Sequence, residues 1–217
     1  MTINTKNKKI EINSERSKED IFNEMSYHLL NDEEPSNYLN SIVNMNFFQQ
    51  YPLQLLYKLK EAEQSPKHHP EGNVWNHTML VIDHASKNKA KSNNEKVFMW
   101  AALLHDIGKP STTKNRKGKI TSYDHDKIGA NLAKDFLREF TTEDKFIEDV
   151  SVLVRWHMQI LHVVKNLPFA DIKTMKQQAN IFEVALLGLC DRLGRLNVNV
   201  REEENNIANF IKKCSDE

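Results

Sequence analysis

The sequence is short of everything a secreted or β-rich protein is built from. Its two cysteines, Cys190 and Cys214, show no Cys-x-x-Cys spacing and allow one bridge at most in 217 residues, which excludes a disulfide framework and fits reduced thiols inside a cell. Cys190 reads as core and Cys214 as tail. Six glycines and six prolines, with few Val/Ile/Tyr alternations, leave little material for hairpins. No apolar run approaches the length that spans a bilayer, and the first twenty residues, MTINTKNKKIEINSERSKED, are polar where a secretory signal needs a greasy stretch. The expected location is therefore the cytoplasm, with no membrane partner. An excess of charge is missing too: 30 Lys and Arg balance 30 Asp and Glu, so no global field recruits nucleic acid or a lipid surface. Partners have to be argued from sites.

What is present is helical periodicity. Apolar residues recur at three and four along most of the chain, which predicts an all-α protein with helices near 15–31, 36–47, 51–63, 74–90, 95–107, 126–139, 143–157, 168–176, 179–194 and 202–213. The two prolines and one glycine of EQSPKHHPEGN, 63–73, interrupt that pattern and suggest an N-terminal helical extension over 1–65, a core over 66–196 and a C-terminal helix or tail over 197–217. KNKAKSNNEK, 87–96, reads as a polar connection and TTKNRKGK, 112–119, as a basic loop. Lys114, Arg116, Lys117 and Lys119 in that loop would suit a polyphosphate or nucleotide tail, but the neutral total favours a solvated loop.

One helix is apolar nearly all round, from Val97 to Leu104, and runs straight into His105 and Asp106. Gly108 and Pro110 supply the expected stop, Gly by a left-handed cap and Pro by its inability to continue. The carbonyl end of a helix is partly negative, so a buried Asp there is unfavourable by several kcal/mol without a cation beside it. A metal ion answers that need, although a His-Asp pair alone more often belongs to a hydrogen-bonded core network.

Other segments bring ligand-type residues onto inward faces. His77 shares a stripe with Leu80, Val81 and His84; His157 continues the stripe Ile147, Val150, Val154; Asp191 ends the stripe Val184, Leu187, Gly188. His125 precedes a helix with apolar stripe Ile128, Leu132, Phe136 and Phe140, where Gly129 and Ala130 permit close approach and Asp124 or Ser122 is placed to cap. His77, His105, Asp106, His125, His157 and Asp191 together make a set of imidazoles and carboxylates suited to Mn, Fe, Co, Ni, Mg or Zn, with no thiolate.

The stretches HPEGNVWNHTMLVIDHA, AALLHDIGKPSTT, HDKIGA, LVRWH and LLGLCDRLGR, in this order over residues 66–196, resemble the HD superfamily of metal-dependent phosphohydrolases, and within it the HD domains attached to bacterial tRNA nucleotidyltransferases and poly(A) polymerases. The resemblance implies an HD-type helical bundle in which His77, His105, Asp106 and Asp191 hold a first divalent ion. It further implies that His125 and His157 add a second ion, with Asp106 shared. The family often carries Gly-His-Glu where this chain has Asp124-His125-Asp126. No Gly-Ser turn followed by an Asp-x-Asp pair occurs, so nucleotide addition is not supported, and the first 65 residues carry no resemblance.

The expected function is hydrolysis of a phosphomonoester or phosphodiester in a nucleotide or related metabolite, with one or two divalent ions as cofactor. Lys109, one turn past His105, would neutralise the phosphate, with a solvent-facing C-terminal lysine as the plain alternative. Either Arg192 or Arg195 would reach the site while the other pairs at the surface, and His69 with Glu71 would line the mouth or only shape a loop. Two other readings stand beside this: a di-iron oxygenase of the same superfamily, and a non-catalytic, metal-stabilised module binding nucleotide or RNA, the latter unsupported by net charge.

Overall fold

The computed structural model describes residues 16–216, so the readings made on 1–15, including the start of the extension and the polar leader, lie outside the described residues. The fold is all-α with one small hairpin. The helices are α1 (Lys18–Asn31), α2 (Pro35–Ile42), α3 (Gln54–Tyr57), α4 (Val74–Asn88), α5 (Glu95–Leu104), α6 (Lys109–Thr112), α7 (His125–Arg138), α8 (Asp144–Trp156), α9 (Gln159–Val164), α10 (Ile172–Gln178), α11 (Ile181–Leu193) and α12 (Val200–Asp216).

Their starts are set by short polar side chains that satisfy the orphan amides of a first turn. Ser17 accepts from Asp20 N at 3.0 Å, Asn73 from Asn76 N at 2.9 Å, Asn94 from Val97 N at 3.2 Å and Asn180 from Phe182 N at 2.8 Å. Inside these caps, α5 is the axis of the molecule: every residue from Val97 to Ile107 is buried. Helices α1, α4, α8 and α11 pack around it, and one hydrophobic core runs from Ile21 to Cys214. Phe22 stacks on Trp100 with centroids 4.9 Å apart, so the N-terminal helices share the core of the rest.

Several expectations are corrected. The basic loop is a two-stranded antiparallel hairpin, β1 (Lys114–Arg116) and β2 (Lys119–Thr121), which needs only a tight turn at Lys117 and Gly118, both at positive φ. The segment 51–63 is no single helix but α3 followed by a 3-10 turn, Lys58–Lys60, and the predicted 36–47 helix stops at Ile42. Helices α6 and α9 were not anticipated, being only four and six residues long. Cys214 is no tail residue: α12 packs on α11 and α9 and buries it with Phe210. On α7, Ile128 is exposed, and the buried face is His125, Asp126, Gly129, Ala130, Ala133, Phe136 and Leu137.

Candidate metal centre

The apolar helix α5 does not end as expected. Leu104 is its last residue, and a tight turn carries His105 and Asp106 onward, with Lys109 N donating to Asp106 O at 2.9 Å. Gly108 has an ordinary right-handed φ of −79°, and Pro110 opens α6 rather than blocking a helix, because the missing N–H costs nothing in a first turn. Glycine is needed at 108 for space: a Cβ there would lie 2.2 Å from the His125 carbonyl oxygen and 2.7 Å from Gly129 N. The turn bearing Asp106 is thus seated directly on the start of α7. Neither Asp124 nor Ser122 caps α7 with its side chain; Asp124 sits at the cap position with φ 60° and its carboxylate pairs with Lys127.

Around this turn α4 contributes His77, the end of α8 His157, and α11 Asp191. His77, His105 and Asp106 form one group of potential ligand atoms, all within 4.8 Å of one another, and Asp106, His125 and His157 form a second. Asp106 divides itself between them. Its Oδ2 lies 3.1 Å from His105 Nε2 and 4.0 Å from His77 Nε2, while Oδ1 lies 3.4 Å from His125 Nε2 and 3.9 Å from His157 Nε2. Asp191 lies beside this group rather than within it, its Oδ1 2.9 Å from His77 Nε2.

The backbone dictates which nitrogen of each ring faces inward. His105, His125 and His157 place Nδ1 against the carbonyls of Ala102, Ser122 and Val154 at 2.8, 2.7 and 2.7 Å. A carbonyl only accepts, so each Nδ1 carries the proton and each Nε2 offers a lone pair to the centre. His77 is oriented differently: its Nδ1 lies 3.0 Å from Glu71 Oε1, a carboxylate that also takes His69 Nδ1 at 2.8 Å. A carboxylate behind the imidazole is the usual support of a metal-ligating histidine, and here Glu71 supplies its charge within ion-pair distance, without a well-directed hydrogen bond from His77 Nδ1.

This donor set fits a divalent cation. His125 Nε2 and His157 Nε2 face one another at 3.3 Å, two lone pairs in a buried space. Fully buried His105 Nε2 and Asp106 Oδ2 have no well-directed hydrogen bond. A proton is a poor substitute for the ion. Burial, reinforced by His125 and His105 nearby, holds His157 down to about 4, and burial also lowers His125. Burial opposes ionisation of Asp106, but His105 and Lys109 beside it keep its carboxyl well below the usual range; Arg195 and His77 do the same for buried Asp191. Burial also opposes the charge on His77, but Asp191 and Glu71 outweigh it and raise its pKa.

Lys109 is not a solvent-facing lysine. Its Nζ lies 2.7 Å from Asp106 Oδ2 and donates to Gln64 Oε1 at 2.7 Å. Of the two arginines, Arg195 reaches Asp191 at 3.6 Å, whereas the Arg192 guanidinium, expected as a substrate contact, is taken up by Glu203 on α12. His69 lies beside His77 with ring centroids 4.9 Å apart and is pushed down to about 4 by burial and by Lys109.

Two features had no visible signal in the sequence. Gln64 is buried in a segment without periodicity. The Arg155–Asp126 ion pair, 2.5 Å, ties α8 to α7 one or two residues from His157 and His125, and no linear spacing reveals a contact between residues 29 apart.

A family model described as HD domain matches residues 74–195, more than half of the chain. The multifunctional CCA protein of Actinobacillus pleuropneumoniae serotype 5b (strain L20) is 27% identical over 152 residues, covering 67% of this chain and 36% of that protein. That of Aromatoleum aromaticum is 30% identical over 145 residues, 64% of this chain and 34% of the relative. The A-adding tRNA nucleotidyltransferase of Deinococcus radiodurans is 33% identical over 64 residues, 29% of this chain and 15% of the relative. The chain thus spans about a third or less of the length of these relatives.

Proposed function

Because this chain belongs to the HD domain family, we propose that it is a metal-dependent phosphohydrolase, cleaving a phosphomonoester or phosphodiester bond in a nucleotide or related metabolite. The observation that carries this reading is the division of Asp106 between two histidine groups, with Oδ2 toward His105 and His77 and Oδ1 toward His125 and His157. In it, His77, His105, Asp106 and Asp191 hold a first divalent ion, and Asp106, His125 and His157 a second. Such ions supply a water acidified toward neutrality and a clamp on phosphoryl oxygen.

The protein's own groups do the rest. Asp106, ionised, neutralises positive charge without needing to lose a proton on binding. Three histidines present Nε2 already stripped of its proton, because a carbonyl holds the tautomer. Lys109, next to Asp106, offers a compact ammonium to a non-bridging phosphate oxygen, where it acts as a point charge. Arg195, on the Asp191 side, and His69, beside His77, are the remaining candidates to meet the substrate.

The test is hydrolysis of a panel of nucleoside monophosphates, cyclic phosphates and bis(p-nitrophenyl) phosphate with Mn, Co or Ni. Metal-dependent turnover that falls in Lys109→Ala with metal content unchanged supports the reading. No turnover on the whole panel with any metal defeats it.

A further inference from the structure

The segment between Asp106 and Asp124 contains no acidic residue, yet it carries Lys109, Lys114, Arg116, Lys117 and Lys119. Folding of that stretch into β1 and β2 arranges these charges. The register pairs Lys114 with Thr121, Asn115 with Ile120 and Arg116 with Lys119. Side chains alternate along a strand and cross-strand partners share a face, so Lys114, Arg116, Lys119 and Thr121 occupy one face of the hairpin. Arg116 and Lys119 are directly opposed like charges, an arrangement that weakens a two-stranded ribbon unless an anion lies over it. The cations at the ends of the stretch have carboxylate partners, Lys109 with Asp106 and Lys127 with Asp124; those on the hairpin have none among the described residues.

Two further facts give the face a direction and a second chemistry. The base of the hairpin is closed by Thr113 and Ser122 hydroxyls 2.7 Å apart, three residues before His125 and four after Lys109, so the hairpin rises from the rim of the metal centre. At the same edge Tyr123 is 60% exposed, with the Arg116 guanidinium over its ring at 4.8 Å. A row of uncompensated cations beside an exposed aromatic face is the pairing that single-stranded nucleic acids use, phosphates on the former and a base on the latter. A lipid surface would need apolar anchors, and Ile120, the hairpin's one aliphatic side chain, is half-buried on the other face.

We infer that the 114–121 hairpin with Tyr123 is a docking surface for a single-stranded nucleic acid, its backbone laid along Lys114, Arg116 and Lys119. The chain's neutral total conceals this patch, because the compensating acids lie elsewhere in the molecule. The surface stands independently of the metal centre. Only the assignment of the bound strand as substrate rests on the phosphohydrolase reading.

The test is fluorescence anisotropy of a labelled 12-nucleotide single-stranded RNA across a salt series. The triple variant Lys114→Gln, Arg116→Gln, Lys119→Gln is expected to bind at least about tenfold more weakly and to lower the log–log salt slope by about 2, with a melting midpoint no lower than wild type and metal content unchanged. Tyr123→Ala is expected to weaken RNA binding about fivefold or more while leaving binding of linear polyphosphate of equal charge as it was. Equal RNA binding by wild type and triple variant would overturn the inference, as would polyphosphate binding as tightly as RNA with Tyr123→Ala without effect. RNA binding without cleavage of the bound RNA in the presence of Mn, while the small phosphoesters are hydrolysed, would refute the strand as substrate and leave the surface standing.

Discussion

The two histidine groups that meet at Asp106 are chemically unequal. The first, around His77 and His105, is rich in charge: Asp191 and Glu71 both press on His77, Arg195 lies against Asp191, and Lys109 against Asp106. The second, around His125 and His157, has the shared Asp106 oxygen as its one carboxylate within ion-pair reach among the described residues, and two imidazoles whose pKa burial lowers. The first environment offers a dication the carboxylates of Asp106 and Asp191 with Glu71 behind His77, against Asp106 alone in the second, and this larger acidic set outweighs the opposing Lys109 and Arg195. We therefore expect the first group to bind a divalent ion more tightly.

The largest effect expected is at the shared residue. Asp106→Ala should abolish binding at both groups and remove metal-dependent turnover, as read by metal analysis after dialysis against micromolar Mn. Removing one group at a time comes next and exposes the inequality: Asp191→Ala should lose the tight ion, whereas His157→Ala should keep it and lose only the weak one. Equal losses in the two variants would mean that the groups are not distinct.

The outer partners give a smaller effect with the same polarity. Glu71→Gln removes the carboxylate behind His77, and Asp126→Asn loosens the pair with Arg155 that ties α7 to α8. Each should weaken its own ion by about 10–100-fold without touching the other, measurable by titration calorimetry.

Much of this centre was legible in the sequence because its parts lie at the ends of strongly periodic stripes. His157 follows Val150 and Val154, and Asp191 follows Leu187, so the core face that buries the leucines and valines must bury the ligands too. The HD turn was legible as a polar break after eight buried residues, but its shape was not. Gly108 and Pro110 suit a helix stop as well as a packed turn, and the choice was made by the start of α7 pressing on Gly108, a contact from outside the local sequence. The hairpin was missed for the opposite reason: strands of three residues give no alternation long enough to register against the helical background. Gln64 and the Arg155–Asp126 pair depend on tertiary placement alone.

The smallest effect is on pH dependence in the metal-free protein. Unfolded histidine titrates near about 6.5, and His157 and His69 are held at about 4 in the fold. Between those values the unfolded chain binds more protons, so stability present above pH ~6.5 is lost as pH falls toward ~4. His77, raised by Asp191 and Glu71, works in the opposite sense: its contribution is present below the unfolded value and is lost as pH rises. The chelated protein should therefore melt at a lower temperature at pH 5 than at pH 7, and His157→Gln should reduce that difference.

Anomalous diffraction from a crystal soaked in Mn decides whether Asp106 joins two ion sites. Two peaks are expected flanking the Asp106 carboxylate about 3.5–4 Å apart, one against His77, His105 and Asp191 and the other against His125 and His157, with the second fading first as Mn is lowered. A single peak away from Asp106, or none at saturating Mn, would contradict that arrangement.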